Sequence, residues 1–535
     1  MKRYALLSVS DKTMLASFAR QLSDLGFEII SSGGTARHLT DSGIEVQAVS
    51  EVTACPEMLD GRVKTLHPAI HAGILARRDH EDDLKSLADN GFHSIDLVCV
   101  NLYPFAKVLA SGAEEAELIE NIDIGGPTLL RSAAKNFRDV FVVTDPQDYS
   151  EVIECLKTIQ KADNPEAYYS EEALKLRKSL AYKVFRKTSA YDTLIASYFE
   201  KVTAFTDDDP SLEDLEPDTL FPAQLDIEGT QVTTLRYGEN PHQRAALYRL
   251  HTVSDSSLLA AEQLHGKEMS YNNIQDTNAA LELLYEFDQA CVVAVKHMNP
   301  CGMALADTID EAWERAYAAD PVSIFGGIVV ANRPISAAMA RQMHEIFLEI
   351  IVAPDYEPEA FKILSQKKNI RLLKLAMKSR KPLETRRMVS VMDGFLIQEN
   401  DNKQVSRQDC RLMTEKAPAE NEWDDLINGF KVVKHCKSNA IVVFKDGQTL
   451  GCGVGQSNRV GAAKLALEQA GERAKGAILA SDAFFPMSDT LELAAQFGIS
   501  SVIQPGGSIR DQESVDLCNS EGMSMVATGI RHFKH

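Results

Sequence analysis

Lys296 and His297 stand together at the end of an apolar, β-branched run, Val292, Val293 and Val295. Such a run predicts a buried strand, and Asn299-Pro300 with Gly302 predicts a turn away from it. Two titratable groups then sit at a strand edge, where open α/β sheets hold their ligands. An imidazole there suits proton transfer, and an adjacent ammonium suits a developing anion. Taken alone, the pair describes a surface lysine beside a hydrogen-bonded histidine just as well, so the other polar loops matter.

The N-terminal stretch supplies several. An apolar strand over 4–9 leads to Ser10-Asp11-Lys12 and a helix carrying Leu15, Phe18, Leu22 and Leu25 on one face. A strand over 27–30 leads to Ser31-Ser32-Gly33-Gly34-Thr35 and a helix from about Ala36 to Asp41. Backbone N–H groups and hydroxyls in such a loop favour an anion, although neither the P-loop nor the dinucleotide pattern is present. Arg62, Val63, Lys64 and Thr65 precede His67-Pro68 and His71. Pro68 and the lack of a nearby carboxylate argue for phosphate or substrate binding over metal. A strand over 95–100 ends in Asn101 and Tyr103. Asp123-Ile124-Gly125-Gly126-Pro127 opens a helix over 129–136, where Asp123 and Lys135 offer an acid/base pair beside an anion hole. Polar loops following one strand after another predict an anion-binding crevice in a doubly wound sheet.

The elements that must position these groups extend over 535 residues, too many for one core. An acidic stretch over 203–226, with Asp207-Asp208-Asp209-Pro210, reads as a linker. Beyond it, Arg236, Tyr237 and Arg244 crowd a turn-rich segment, Ser270 to Asp276 reads as a polar loop before a helix over 279–287, and Phe325-Gly326-Gly327 precedes an apolar run. The pattern repeats: a strand over 440–444, a Gly-rich loop over 451–455, Arg459 opening a helix, strands over 477–480 and 501–504, and a contact-rich end around Arg531. The formal charge of −21 argues against broad nucleic-acid binding. Nine scattered cysteines without a CxxC pair read as reduced thiols, and with no signal-peptide pattern and no long apolar run the expectation is a cytoplasmic protein outside the membrane.

The motifs SVSDKT, SSGGTA, GRVKTLHPAIHAGIL, NLYPF, DIGGPTLLRSAAKN, LRYGENPHQ, KHMNPCG and SDAFFP, taken together, resemble the bifunctional purine-biosynthesis family that joins AICAR formyltransferase to IMP cyclohydrolase. The resemblance covers essentially the whole chain. It implies a cyclohydrolase domain over 1–200 with a methylglyoxal-synthase-like core over about 1–147. It also implies a transformylase over 201–535 built of two cytidine-deaminase-like α/β subdomains, in a homodimer with transformylase sites at the interface. Carried over by motif, Lys64, Tyr103, Asp123 and Lys135 would be catalytic in cyclisation, with Ser10, Asp11, Lys12, Ser32, Gly33, Gly34, Thr35, Arg62, Val63, Thr65, Asn101 and Ile124 binding substrate. Lys296 and His297 would be catalytic in formyl transfer, with Arg236, Tyr237, Gly326, Glu349, Asn439, Arg459, Phe484 and Arg531 binding substrate. Val460, Asp489, Ser508 and Ile509 would meet 10-formyltetrahydrofolate. The family pattern admits Asp where this chain has Glu349. The deaminase-like fold usually holds zinc through HxE and PCxxC, but Pro300-Cys301 is followed by Ala304, so no catalytic zinc is expected. A monovalent cation is left open.

The rival functions are a lyase or nucleotide sensor using only the first domain, a nucleotide-binding scaffold, and a nucleic-acid-binding protein. A scaffold explains the phosphate loops but not a Lys-His pair beside them. A nucleic-acid binder needs a basic stripe with exposed aromatics.

Overall fold

The structure is a computed structural model that describes residues 2–59, 62–162, 164–203, 221, 225, 227–250, 254–377 and 386–535. The chain forms two compact units, Met1–Pro222 and Ala223–His535. Most of the acidic stretch over 203–226 lies outside the described residues.

In the first unit, β1 (Arg3–Val9), β2 (Phe27–Ser31), β3 (Gln47–Ala48), β4 (Leu97–Asn101) and β5 (Phe141–Val143) lie parallel in the order β3-β2-β1-β4-β5. Leu6, Leu7, Ile30, Val98 and Phe141 are wholly buried. Helices cover both faces of such a sheet, so its strands read as continuous apolar runs. Strand order reverses between β1 and β4, which opens a crevice outside their carboxyl ends. Two helices start earlier than their apolar periodicity suggests, at Gly33 instead of Ala36 and at Gly125 instead of Leu129. The first helical turn is set by backbone conformation and needs no apolar side chain. The helix Glu171–Thr203 follows the five-stranded core and packs on the helix Gly125–Lys135 and on β5.

In the second unit, β6 (Gly229–Leu235) and β7 (Ala245–Leu250) form a hairpin. The strands β8 (Glu262–His265), β9 (Ala290–Lys296), β10 (Asn299–Ala306), β11 (Ile328–Ala331), β12 (Ile350–Ala353) and β13 (Arg371–Lys374) make one half of a twelve-stranded sheet. After the hairpin β14 (Arg386–Val391) and β15 (Gly394–Glu399), the other half is built from β16 (Arg411–Leu412), β17 (Ile441–Lys445), β18 (Gln448–Gly453), β19 (Ile478–Ser481), β20 (Ser501–Gln504) and β21 (Ser524–Ala527). The sheet order is β16-β21-β20-β19-β17-β18-β10-β9-β11-β12-β13-β8. Each half contains the same path: an antiparallel hairpin, a third strand antiparallel to the first hairpin strand, then two more parallel to the third. The halves meet where Ala304 pairs with Gln448.

Three local expectations are corrected. The chain turns at His297-Met298, with φ 53° and 63°, and Asn299-Pro300 already begins β10. Two consecutive positive φ values give the tight hairpin turn whose twist matches its strands. The stretch Gly451 to Gly453 is strand, not loop. A Cβ at Gly451 would stand 2.0 Å from the Ala466 carbonyl oxygen and one at Gly453 would stand 1.8 Å from that of Ala462, so these glycines let a helix lie against the strand. The polar stretch Ser270 to Asp276 is the cap and start of the helix Tyr271–Leu284.

Candidate functional site

The switch point of the first unit is a cleft of about 680 Å³. Asn101, at the end of β4, ties the loop after β1: its Oδ1 accepts the N–H groups of Ser10 (2.6 Å) and Asp11 (2.9 Å). The Thr35 hydroxyl accepts the Val9 N–H and donates to the Val9 carbonyl, each at 3.0 Å, which pins the helix Gly33–Asp41 to the end of β1. That helix begins at the cleft without a side-chain cap, and the helix Gly125–Lys135 begins there with its Gly126 N–H held by Asp123. Their N–H groups and dipoles favour an anion. Lys12 and Lys64 add positive charge, Arg62 is ion-paired with Glu120 on the same wall, and Ser32 presents a buried hydroxyl with no protein partner.

Ser10, Lys12, Ser32, Gly34, Thr35, Arg62, Lys64, Thr65, Asn101, Tyr103, Asp123 and Ile124 all line this cleft. Asp11 stands outside it and accepts the Thr13 N–H and hydroxyl. Val63 bridges to Met58, and Gly33 lies under Lys64, whose Nζ would be 3.5 Å from a Cβ there. Asp123 accepts the Gly126 N–H at 2.8 Å. Burial pushes its carboxyl above the ordinary value, against the pull of the Gly126 and Tyr103 N–H groups and of the Lys64 charge.

The expected Asp123–Lys135 pair does not form. Lys135 is exposed at the far end of its helix, ten residues and about 15 Å of helical rise from Gly125. The two histidines are structural: His67 caps the helix Pro68–Leu75, and His71 lies 3.1 Å from the Ser132 hydroxyl. The sequence reads as helical and charged over 147–200 but gives the helix Glu171–Thr203 no part in the site. Its Tyr191 hydroxyl accepts the Asp123 N–H at 2.8 Å, and its Phe199 lines the cleft with Ile119, Glu120, Ile122 and Leu129. Only the T-shaped contact of Tyr191 with Phe105 and the helix's return to the sheet reveal that role, and neither has a local sequence signal.

In the second unit the strand directions gather the other candidates along one edge of the large sheet. Lys296 ends β9, and Gly326 and Glu349 precede β11 and β12 at the same edge. Asn439 precedes β17, while Phe484, Asp489, Ser508, Ile509 and Arg531 follow β19, β20 and β21 there. The Lys437 N–H donates to Asn299 Oδ1 at 3.0 Å and joins the two halves at this edge. Arg236 and Tyr237 sit in the β6–β7 hairpin, whose Glu239 carbonyl accepts from Asn272 at 3.3 Å, near the start of the helix Tyr271–Leu284.

Lys296 Nζ donates to the Phe325 carbonyl at 2.8 Å, and His297 is exposed. Glu349 is engaged by the largely buried Arg371 at 2.7 Å. Arg459 is not a free guanidinium. It is buried, forms an ion pair with the wholly buried Asp482, and donates to Ser481 (2.9 Å) and to Asn439 Oδ1 (2.7 Å). It therefore orients Asn439, and Val460 beside it begins the same helix. Phe484 and Ile509 are exposed, and Asp489 accepts the Thr490 N–H. The C-terminal residues form a docked tail: the Ser438 N–H donates to the Lys534 carbonyl and the Lys534 N–H to the Ser438 hydroxyl, the His532 N–H donates to the Asp482 carbonyl, and Lys534 pairs with Glu282 at 3.2 Å. Cys301 is half-buried, and its thiol donates to the Ala294 carbonyl. Among the described residues no three His, Cys, Asp or Glu side chains form a metal-binding group.

An anion cleft at a parallel-sheet switch point and a doubled antiparallel/parallel sheet with a Lys-His edge define a two-unit enzyme acting on small anionic substrates. A family profile described as AICARFT/IMPCHase bienzyme matches residues 133–469, and one described as MGS-like domain matches residues 14–128. The chain belongs to the AICARFT/IMPCHase bienzyme family. Proteins called "Bifunctional purine biosynthesis protein PurH" are 52% identical in Oceanobacillus iheyensis and 51% in Anoxybacillus flavithermus and Acetivibrio thermocellus, each covering 100% of both chains. A solved structure, of ForH, is 39% identical, covers 37% of this chain and 96% of its own, and superposes with a TM-score of 0.32. This chain is thus an AICAR formyltransferase and IMP cyclohydrolase of purine biosynthesis. It acts on AICAR, formyl-AICAR and IMP, with a folate co-substrate.

Proposed function

We propose that the two activities are divided between the two units, with cyclisation in the cleft of the first and formyl transfer at the sheet edge of the second. The observation that carries this is the cleft itself: the uncapped helix start at Gly33 and a partnerless Ser32 hydroxyl, with Lys64 and Asp123 on the same walls. The helix starts, Lys12 and Arg62 suit the phosphate of a nucleotide. The carboxamide nitrogen of formyl-AICAR attacks its formyl carbon. Lys64 and the Gly125 N–H stabilise the oxyanion, Asp123, held by the Gly126 N–H, moves the proton, and water leaves. Burial, which raises the Asp123 carboxyl, suits it to that proton transfer. Tyr103, on the cleft wall, is placed to meet the ring.

At the sheet edge, the amine of AICAR attacks the formyl carbon of 10-formyltetrahydrofolate. His297 takes the amine proton as the bond forms, and Lys296 stabilises the tetrahedral oxyanion before tetrahydrofolate departs. Arg236, Tyr237, Gly326, Asn439, Phe484 and Arg531 bind AICAR, and Val460, Asp489, Ser508 and Ile509 bind folate. Glu349 faces substrate through its pair with Arg371. Cyclisation yields an aromatic purine and draws the unfavourable transfer forward, which is a reason to join the activities.

The working form is a homodimer. The β12 and β20 ends are seven strand spacings apart, roughly 34 Å along the sheet, too far for one AICAR to touch both groups in one chain. Met392 and Leu396 on the exposed β14–β15 hairpin suit an interface with a second copy. The free cysteines suit the reducing cytoplasm, and no described helix is long and apolar enough to cross a membrane. A monovalent cation is a further ligand to assay.

The test is a coupled assay with AICAR and 10-formyltetrahydrofolate, reading tetrahydrofolate and IMP in wild type, His297→Ala and Asp123→Ala. His297→Ala is expected to stop tetrahydrofolate release yet cyclise added formyl-AICAR, and Asp123→Ala to do the reverse. Loss of both activities in a folded His297→Ala would refute the division.

A further inference from the structure

We infer that Asp276 is a positioning residue for formyl transfer, whose carboxylate holds the His297-Met298 turn in the left-handed conformation that presents the imidazole at the sheet edge. This rests on the reading that His297 serves formyl transfer.

Both turn residues have positive φ, and neither is a glycine, asparagine or aspartate. Histidine tolerates left-handed backbone better than most side chains and methionine does not, so the pair persists where the surroundings impose it. Asp276, on the helix Tyr271–Leu284, supplies the constraint: its Oδ1 accepts the Met298 N–H at 2.7 Å, and the His297 N–H is bonded to the same carboxylate. Asn299 Nδ2 donates to the His297 carbonyl at 3.0 Å and fixes the far side of the turn.

The second half of the sheet contains the same device at the opposite edge. There the hairpin β17–β18 turns at Asp446-Gly447, with φ 51° and 74°. Asp425, on the helix Glu422–Lys434, accepts the Asp446 and Gly447 N–H groups at 2.7 and 2.8 Å. Asp-Gly adopts this turn readily, so its clamp serves the fold alone. The first half keeps the clamp and places His and Met where Asp and Gly would suffice. The clamp there aims the side chain that takes the proton, and the direction of the imidazole depends on the carboxylate beneath it.

The experiment compares Asp276→Ala, Asp276→Asn, Asp425→Ala, His297→Ala and the double variant Asp276→Ala/Met298→Gly in the full chain. Formyl transfer from 10-formyltetrahydrofolate to AICAR is measured, with cyclisation of added formyl-AICAR as the internal control of folding. Asp276→Ala is expected to lower kcat for formyl transfer by about 10- to 100-fold, since misaiming a reacting group by an ångström has that effect. KM for AICAR and the cyclisation rate should stay within about threefold, the mark of an interaction expressed in kcat. Asp276→Asn, which keeps an oxygen acceptor, should recover most of the rate. Met298→Gly should recover part of the Asp276→Ala loss, because glycine adopts the turn without a clamp. Asp425→Ala should leave formyl-transfer kcat within about twofold, consistent with a purely structural clamp. The inference is overturned if Asp276→Ala keeps wild-type kcat, if its loss appears only in KM, if Asp425→Ala lowers kcat equally, or if Met298→Gly relieves nothing. Should Asp276→Ala fail to fold, Asp276→Asn decides: a kcat loss as deep as that of His297→Ala overturns the inference. If His297→Ala itself transfers formyl normally, the site assignment fails instead.

Discussion

Replacing Gly126 with alanine should disable cyclisation while sparing formyl transfer. The new Cβ would stand 2.3 Å from Asp123 Oδ2 and 2.8 Å from its Cγ, with the carboxylate already bonded to the Gly126 N–H at 2.8 Å. Ordinary contact begins near 3.4 Å, so the carboxylate must retreat by about 1 Å, a displacement that costs an aligned catalytic group on the order of 100-fold in rate. The assay follows IMP from added formyl-AICAR, and tetrahydrofolate release from the same preparation reports the other unit. A second measurement isolates the cause. In an Asp123→Ala background the alanine at 126 meets no carboxylate, so Gly126→Ala should add little there, a strongly non-additive pair. Cyclisation within threefold of wild type in Gly126→Ala would refute the reasoning, as would equal losses with and without Asp123.

Removing the Asp482 carboxylate leaves Arg459 buried without its partner; Asp482→Ala should destabilise the second unit by about 3–5 kcal/mol and reduce formyl transfer, read by denaturant unfolding and tetrahydrofolate release. Gly453→Ala drives a Cβ into the Ala462 carbonyl and should cost about 3 kcal/mol in the same unfolding assay. Burial would push the Glu286 carboxyl up, but the hydrogen bond and charge of His435, with Lys434 and Gln404, outweigh it and hold it well below its ordinary 4.5. A depressed carboxyl contributes stability above its unfolded pKa and loses it as pH falls, so wild-type stability should drop below about pH 4.5 and Glu286→Gln should show a shallower drop. Dilution below the dimer dissociation constant should abolish formyl transfer before cyclisation, measured by assay alongside sedimentation.

The strand ends were legible because buried parallel strands are continuous apolar runs and their polar residues must then fall at the edges. Ser10 and Asn101 reach one cleft for that reason, whereas Lys64 and Asp123 come to it from loops between helices. Residues whose partners are remote in sequence were not. Nothing near Arg459 announces Asp482, so a buried structural cation reads locally as an anion ligand. Lys135 shares a motif with Asp123 but not a helix turn, and helical rise separates what the motif joins. Tyr191 and Phe199 arrive from a helix whose charged surface hides the stripe that meets the cleft.

The two hairpin turns show why the chemistry of the second unit sits where it does. The halves share a strand path and a helix carboxylate that clamps each turn, so the architecture alone calls for a left-handed pair at both places. Asp446-Gly447 meets that requirement with residues that favour it, while in His297-Met298 the methionine meets it against its preference. A sequence optimised only for folding would carry the same solution twice. The departure falls at the edge where Lys296, Gly326 and Asn439 also gather, and the opposite turn has no such company. On the role proposed for His297, the left-handed turn therefore falls at the edge where the candidate transfer residues gather, the relation between strain and function expected of a catalytic turn.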